Sequence, residues 1–207
     1  MRLIDITHPL GAATAPWPGD VAFSLEPTAR LTGGDAVNLS KVTFSPHNGT
    51  HADAPFHYDQ QGAFMADVDL EPYVGRALLI ALEGRRSITA ADLRAVDLKG
   101  VERVLVRTGS CPDRTRFNPD FTYMEPEAVR YLASQGVRLL GTDAHSVDPR
   151  ESRELPAHRA CAESGILILE NLRLAGVEPG EYELIALPLK MEQADGSPVR
   201  AVLREMR

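Results

Sequence analysis

Residues 47–57 read His-Asn-Gly-Thr-His-Ala-Asp-Ala-Pro-Phe-His. This segment holds three of the six histidines found in 207 residues. Imidazole nitrogen and carboxylate oxygen are the donors that zinc, manganese or iron takes. His47, His51, Asp53 and His57 follow one another at spacings of four, two and four, so a locally folded segment brings all four together. That is how a protein builds a metal site with a catalytic base beside it. Pro46, Gly49 and Pro55 argue against a helix here. A glycine turn can still bring His47 and His51 to one ion, and His51 and Asp53 share a face if the segment is extended.

A complete site needs donors from elsewhere in the chain. The candidates are His145, His158, Glu170, Asp143 and Asp148. Glu170 directly follows the apolar run 166–169, and the ends of strands are where α/β sheets build sites. His158 lies near the start of a short helix. Taken singly, Glu170 is as readily an N-cap or a solvent-facing charge, and His158 and His145 read more readily as surface histidines. His8, in Thr7-His8-Pro9, reads as structural.

The elements that must position these residues show in the patterning. Strands are expected at 3–6, 38–44, 76–82, 101–108, 137–140, 166–169, 182–187 and 199–203. Thr89 followed by Asp92 marks a capped helix start. A helix is expected at 125–135, with Pro126 in its first turn and Gly136 past its end, and another at 156–164, closed by Gly165. Trp17 stands between Pro16 and Pro18 in a stiff extended loop. The expectation is an α/β protein with a mixed sheet or barrel-like core and about three helices, in a single domain over 1–207.

The apolar fraction of 43% suffices for a buried core. Net charge is −7 and no basic run is present, which argues against nucleic acid as a partner. No apolar run reaches membrane-spanning length and the N-terminal residues do not read as a signal peptide. Cys111 and Cys161 are therefore expected to be reduced, in a soluble cytoplasmic protein.

The motif His-x-Gly-Thr-His-x-Asp-x-Pro-x-His resembles the signature of the cyclase superfamily of metal-dependent hydrolases. The likeness continues through Trp17-Pro18-Gly19-Asp20, Gly141-Thr142-Asp143, Ser146-Val147-Asp148-Pro149 and Ile168-Leu169-Glu170-Asn171-Leu172. It extends to 182–189 and 195–203, and covers essentially the whole chain. The Trp-Pro-Gly-Asp loop and the C-terminal run look like the bacterial kynurenine formamidase branch. That resemblance implies a swivelling β/β/α-type fold, a homodimer, and hydrolysis of N-formyl-L-kynurenine to L-kynurenine and formate in tryptophan degradation. It implies two zinc ions per subunit, with manganese or another divalent metal as substitutes. His47 and His51 would bind one ion and His158 the other, while Asp53 and Glu170 would bridge. His57 would be the general acid and base, and Trp17 would face the aromatic ring of the substrate. Two readings stand beside this one. One is a related amide hydrolase acting on a cyclic amide such as isatin. The other is a non-catalytic protein that binds metal or a metabolite, or uses a metal only to staple its fold.

Overall fold

The computed structural model describes residues 2–206. Met1 and Arg207, the ends of the expected domain, lie outside the described residues. The strands run β1 (Leu3–Asp5), β2 (Ser24–Ala29), β3 (Leu39–Thr43), β4 (His51–Asp53), β5 (Val74–Ala81), β6 (Ser87–Ile88) and β7 (Arg103–Arg107). They continue with β8 (Tyr123–Met124), β9 (Leu139–Thr142), β10 (Leu167–Glu170), β11 (Gly180–Ile185), β12 (Gly196–Pro198) and β13 (Val202–Glu205). The α-helices are α1 (Ala90–Arg94), α2 (Pro126–Ser134) and α3 (Pro156–Ser164).

Nine strands form one mixed sheet in the order β1-β13-β11-β5-β7-β9-β10-β4-β12. The central pairs β5–β7, β7–β9 and β9–β10 are parallel. Their strands are short apolar runs, as expected of strands covered on both faces. The flanking pairs are antiparallel. Just past β1, Thr7 bridges to Leu172, just past β10. Joining one edge of the sheet to a strand six places away along it curls the sheet into a half barrel.

Side-chain alternation then sorts the core into two clusters. Ala77, Leu79, Leu105, Leu139, Leu169 and Ala52 point into the curl, where Ile6, Leu184 and Leu203 meet them. Leu78, Ile80, Val104, Val106, Leu140 and Ile168 point outward and are covered by Leu93 of α1, Val129 and Leu132 of α2, and Ala160 and Cys161 of α3. Thr89 and Asp92 form the expected reciprocal capping box at α1. Gly165 closes α3 in the left-handed conformation, at φ 67°.

Several expectations shift. The segment after Gly49 is extended: β4 is a buried strand, followed by a short 3₁₀ turn at Pro55–His57. Glu170 is the last residue of β10 rather than the first residue beyond it. The expected strand at 199–203 is displaced to β13, because Val199 makes only an isolated bridge to Pro188. β2 and β12 were not anticipated. β2 carries Pro27 and pairs only with β3, in a separate two-stranded sheet; a proline is tolerated on such an edge strand. The sequence of β12, Gly-Ser-Pro, has no strand-like composition.

Gly141 sits where the interior of the curl is closely packed. A Cβ there would lie 2.5 Å from Leu105 Cδ2 and 2.8 Å from Leu172 Cδ1. Gly141→Ala should therefore overpack the interior and cost about 1–3 kcal/mol. A urea denaturation midpoint unchanged from wild type would show that the two leucines yield freely.

Candidate active site

Antiparallel pairing aligns Glu170 with His51 and Ile168 with Asp53. Directly paired residues share a face, as do residues two apart. His51, Asp53 and Glu170 therefore all project from the helix-covered face, while Ala52 and Leu169 point into the curl. His158, on the first turn of α3, reaches the same spot from the helix layer. His47 comes from the turn preceding β4, where Gly49 takes φ 77°. Tight packing against β12 fixes His47: a Cβ on Gly196 would lie 2.8 Å from its Cε1. Glycine is the residue that leaves room for this imidazole.

Each carboxylate offers one oxygen to each side of the cluster. Asp53 Oδ1 lies 3.0 Å from His47 Nδ1 and 3.2 Å from His51 Nε2, and its Oδ2 lies 3.5 Å from His158 Nε2. Glu170 Oε2 lies 3.5 Å from His51 Nε2, and its Oε1 lies 3.7 Å from His158 Nε2. Backbone contact anchors Glu170, whose Oε1 accepts the Val147 N–H at 2.8 Å.

These residues fit a divalent metal on the evidence of their own geometry. His51, Asp53, His158 and Glu170 are all buried. Yet His51 Nε2 and Asp53 Oδ2 have no hydrogen-bond partner. Orphaned buried polar atoms need an explanation, and an ion between them is one. His47, His51 and Asp53 offer donor atoms within 4.8 Å of one another, and so do Asp53, His158 and Glu170. Ligands on one ion at about 2 Å lie at comparable separations. The other ring nitrogens are also positioned. His51 Nδ1 meets the Gly49 carbonyl at 2.8 Å, and His158 Nδ1 meets Asp148 Oδ2 at 2.7 Å. Such contacts fix the tautomer that leaves Nε2 free to bind a metal.

Asp148, one of the candidate ligands, thus has a different place. It orients His158 and accepts the N–H groups of Ala157 and His158, both at 2.9 Å, capping α3. Asp143 is also not in the cluster: it accepts the Thr108 and Gly109 N–H groups and ties two strand ends together. His145 stacks on Phe117 at 4.7 Å and meets Asn171 Oδ1 at 2.8 Å. His8 is half-buried and its N–H donates to Thr50.

His57 lies against His47, with ring centroids 4.0 Å apart. Between them sits Asp195, whose Oδ2 is 3.2 Å from His47 Nε2 and 3.7 Å from His57 Nδ1. Asp195 escaped the sequence reading. It lies 148 positions from His47, and its only local signal is the Asp-Gly pair that starts β12. Trp17 stands at the side of the site, edge-on to Phe117 at 5.0 Å and Phe121 at 6.1 Å. His47, His51, His57, His158 and Glu170 line a cavity of about 530 Å³, and Trp17 and Phe117 form part of its wall.

Charge in the cluster is balanced by protons when no metal is bound. Burial disfavours the cations, but the attraction of the adjacent carboxylates outweighs it. Asp195 and Asp53 push His47 up to about 9, Asp53 and Glu170 push His51 up to about 10, and Asp148 and Asp53 push His158 up to about 10. Burial raises Asp53 too, yet the surrounding imidazoles of His158, His47 and His51 hold it well below the usual carboxylate range. His57 behaves oppositely: burial lowers its pKa, so it is neutral at pH 7.

Imidazole binds metal only when neutral. Below the raised values of about 9 to 10 the metal-free site holds these protons, so at pH 7.5 metal binding must expel them and must tighten as pH rises. Titration calorimetry in buffers of different ionisation enthalpy should report a net proton release on adding zinc to metal-free protein. A heat independent of the buffer would show that the imidazoles are already neutral.

Comparison with known proteins agrees with this geometry. The Putative cyclase family model matches residues 4–149. The chain is 45% identical over 203 residues to a kynurenine formamidase of Bacillus cytotoxicus, covering 98% of this chain and 97% of that one. Its structure resembles a predicted metal-dependent hydrolase from Bacillus stearothermophilus, with a TM-score of 0.84, 28% identity, and coverage of 98% and 97% of the two chains. It also resembles isatin hydrolase A from Labrenzia aggregata, with a TM-score of 0.82, 25% identity, and coverage of 98% and 93%. With a half-barrel sheet that focuses histidines and carboxylates on one buried point, and a motif that runs through it, this chain belongs to the cyclase family of metal-dependent hydrolases.

Proposed function

We propose that the protein is an arylformamidase that hydrolyses N-formyl-L-kynurenine to L-kynurenine and formate, in tryptophan degradation. The observation that carries this reading is the full-length similarity to kynurenine formamidases, together with a cavity that sets an aromatic wall beside a metal-binding floor.

The floor would take two zinc ions, with manganese or another divalent ion as substitutes. His47 and His51 would hold one ion and His158 the other, with Asp53 and Glu170 shared between them. The split presentation of carboxylate oxygens supports the bridging roles. When bound, such ions act as Lewis acids that make water nucleophilic near neutral pH and polarise a carbonyl. The chain supplies the proton chemistry. Neutral His57 can accept a proton from the attacking water and return it to the departing aniline nitrogen. Asp195 Oδ2 lies 3.7 Å from His57 Nδ1, close enough for its charge to favour the protonated ring. The formyl carbon bears only hydrogen, so little room is needed beside the metals. Trp17 and Phe117 receive the benzoyl ring. The resemblance to isatin hydrolase A keeps a cyclic-amide substrate as the second reading.

Residues 1–207 act as one domain, in keeping with a sheet that runs from β1 to β13. The functional unit is a homodimer. The β2–β3 hairpin supports this reading. Leu25 pairs with Val42 across it, and both are exposed. Phe23 and Phe44 continue the same face, 5.8 Å apart. A two-stranded ribbon with a bare apolar face is marginal in water and gains from a partner. A cytoplasmic setting suits the free, buried Cys111 and Cys161.

Formylkynurenine turnover should vanish with chelator and return with zinc or manganese. His57→Ala should keep its metal while kcat falls about 10²–10⁴-fold. Asp53→Ala should lose metal and activity together, by elemental analysis and assay. Absence of turnover by fully metallated protein would sink the arylformamidase reading. Leu25→Glu combined with Val42→Glu should shift the protein from dimer to monomer in sedimentation velocity; an unchanged dimer would place the interface elsewhere.

A further inference from the structure

The charged residues lining the cavity fall into two groups. His47, His51, His57, Asp148, His158 and Glu170 belong to the histidine–carboxylate cluster already described, and His145 is spent on Phe117 and Asn171. Asp20 and Arg150 remain, and both line the cavity while exposed to solvent. Among the described residues the Arg150 guanidinium has no ion pair and no hydrogen bond. Asp20 accepts only the N–H of its neighbour Val21, at 2.7 Å, and meets no cation.

Both charges sit on segments held to the reaction centre. Asp20 ends the turn that carries Trp17, closed by an Asp20 N–H to Trp17 carbonyl bond of 2.9 Å. Arg150 follows Asp148, which is bonded to His158, with Pro149 between them. Pro149 opens a turn whose carbonyl accepts the Ser152 N–H at 2.9 Å. The aromatic wall and the metal-side histidine thus each bring one free charge to the cavity, of opposite sign.

One guanidinium and one carboxylate, neither of them spent on the protein, complement an α-amino-acid zwitterion. We infer that Arg150 and Asp20 form the head-group subsite, with Arg150 binding the α-carboxylate of the substrate and Asp20 its α-ammonium. Guanidinium suits a carboxylate because its paired donors match the two oxygens. This assignment rests on the arylformamidase reading and narrows it. The substrate class is an aryl formamide that carries a free amino-acid head group, and the rim selects it from simpler formanilides.

The test compares three substrates: N-formyl-L-kynurenine, its analogue lacking the α-amino group, and 2′-formamidoacetophenone, which lacks the head group altogether. Wild-type kcat/KM should rank them in that order. Arg150→Ala should lower the preference for formylkynurenine over formamidoacetophenone by about tenfold, as expected for losing a charge-assisted contact, mainly through KM. Arg150→Lys should recover part of it. Asp20→Asn should lower the preference for formylkynurenine over the desamino analogue and leave the ranking of the other two intact. Preference ratios equal to wild type in these variants would overturn the subsite while leaving the arylformamidase standing. A wild-type enzyme with no preference among the three would also overturn it. A metallated wild type inert towards all three would overturn both the arylformamidase and the subsite that depends on it.

Discussion

Two buried carboxylates govern this structure. Asp53 and Glu170 are almost wholly removed from water, and an unpaired ion in that setting costs on the order of several kcal/mol. Their charge has to be met by imidazolium protons or by metal ions, and the chain is arranged so that either can reach them. β4 and β10 pair side by side to present the acids, and α3 brings His158 over them. The pairing register is the critical variable. A slip of one residue would send Asp53 into the curl among Leu79, Leu105 and Leu169, and would put Ala52 where a ligand belongs. The apolar interior therefore enforces the register that the chemistry needs.

Local periodicity made part of the site legible in the sequence. His51 and Asp53 share a face because β4 is extended, and His158 sits where Pro156 and Gly165 place a helix. What stayed hidden depends on long-range pairing. Asp195 reaches His47 only because β12 lies against β4, and three residues reading Gly-Ser-Pro carry no strand signal. The metal-ligand roles were expected from family resemblance, since spacing alone left Asp143, Asp148 and His145 among the candidates. The structure separates them by contact: Asp148 bonds His158, His145 stacks on Phe117, and Asp143 ties strand ends. The β2–β3 hairpin was half seen, because β3 alternates clearly while β2 is interrupted by Pro27.

The fold divides its labour by depth. The candidate ligands His51, Asp53 and Glu170 stand on strands and His158 on a helix, whose backbone hydrogen bonds hold them rigid. The residues that meet the rest of a substrate, among them Trp17 and Phe117, stand on loops outside the sheet. Loops tolerate exchange better than paired strands do. The same floor can therefore serve different amide substrates while the rim is rewritten, which accords with kynurenine formamidase and isatin hydrolase sharing this architecture.

The position of β12 also sets a timetable for biosynthesis. The ribosome makes His47, His51 and Asp53 early, but the strand that flanks them on the far side contains residues 196–198. At about 5–20 residues per second, the acids and imidazoles of β4 spend most of translation without Asp195, and without Glu170 until β10 has emerged. Closure of the pocket against β12 therefore comes after β4 and β10 have both been made, so the order of synthesis runs from the buried donors outward to Asp195.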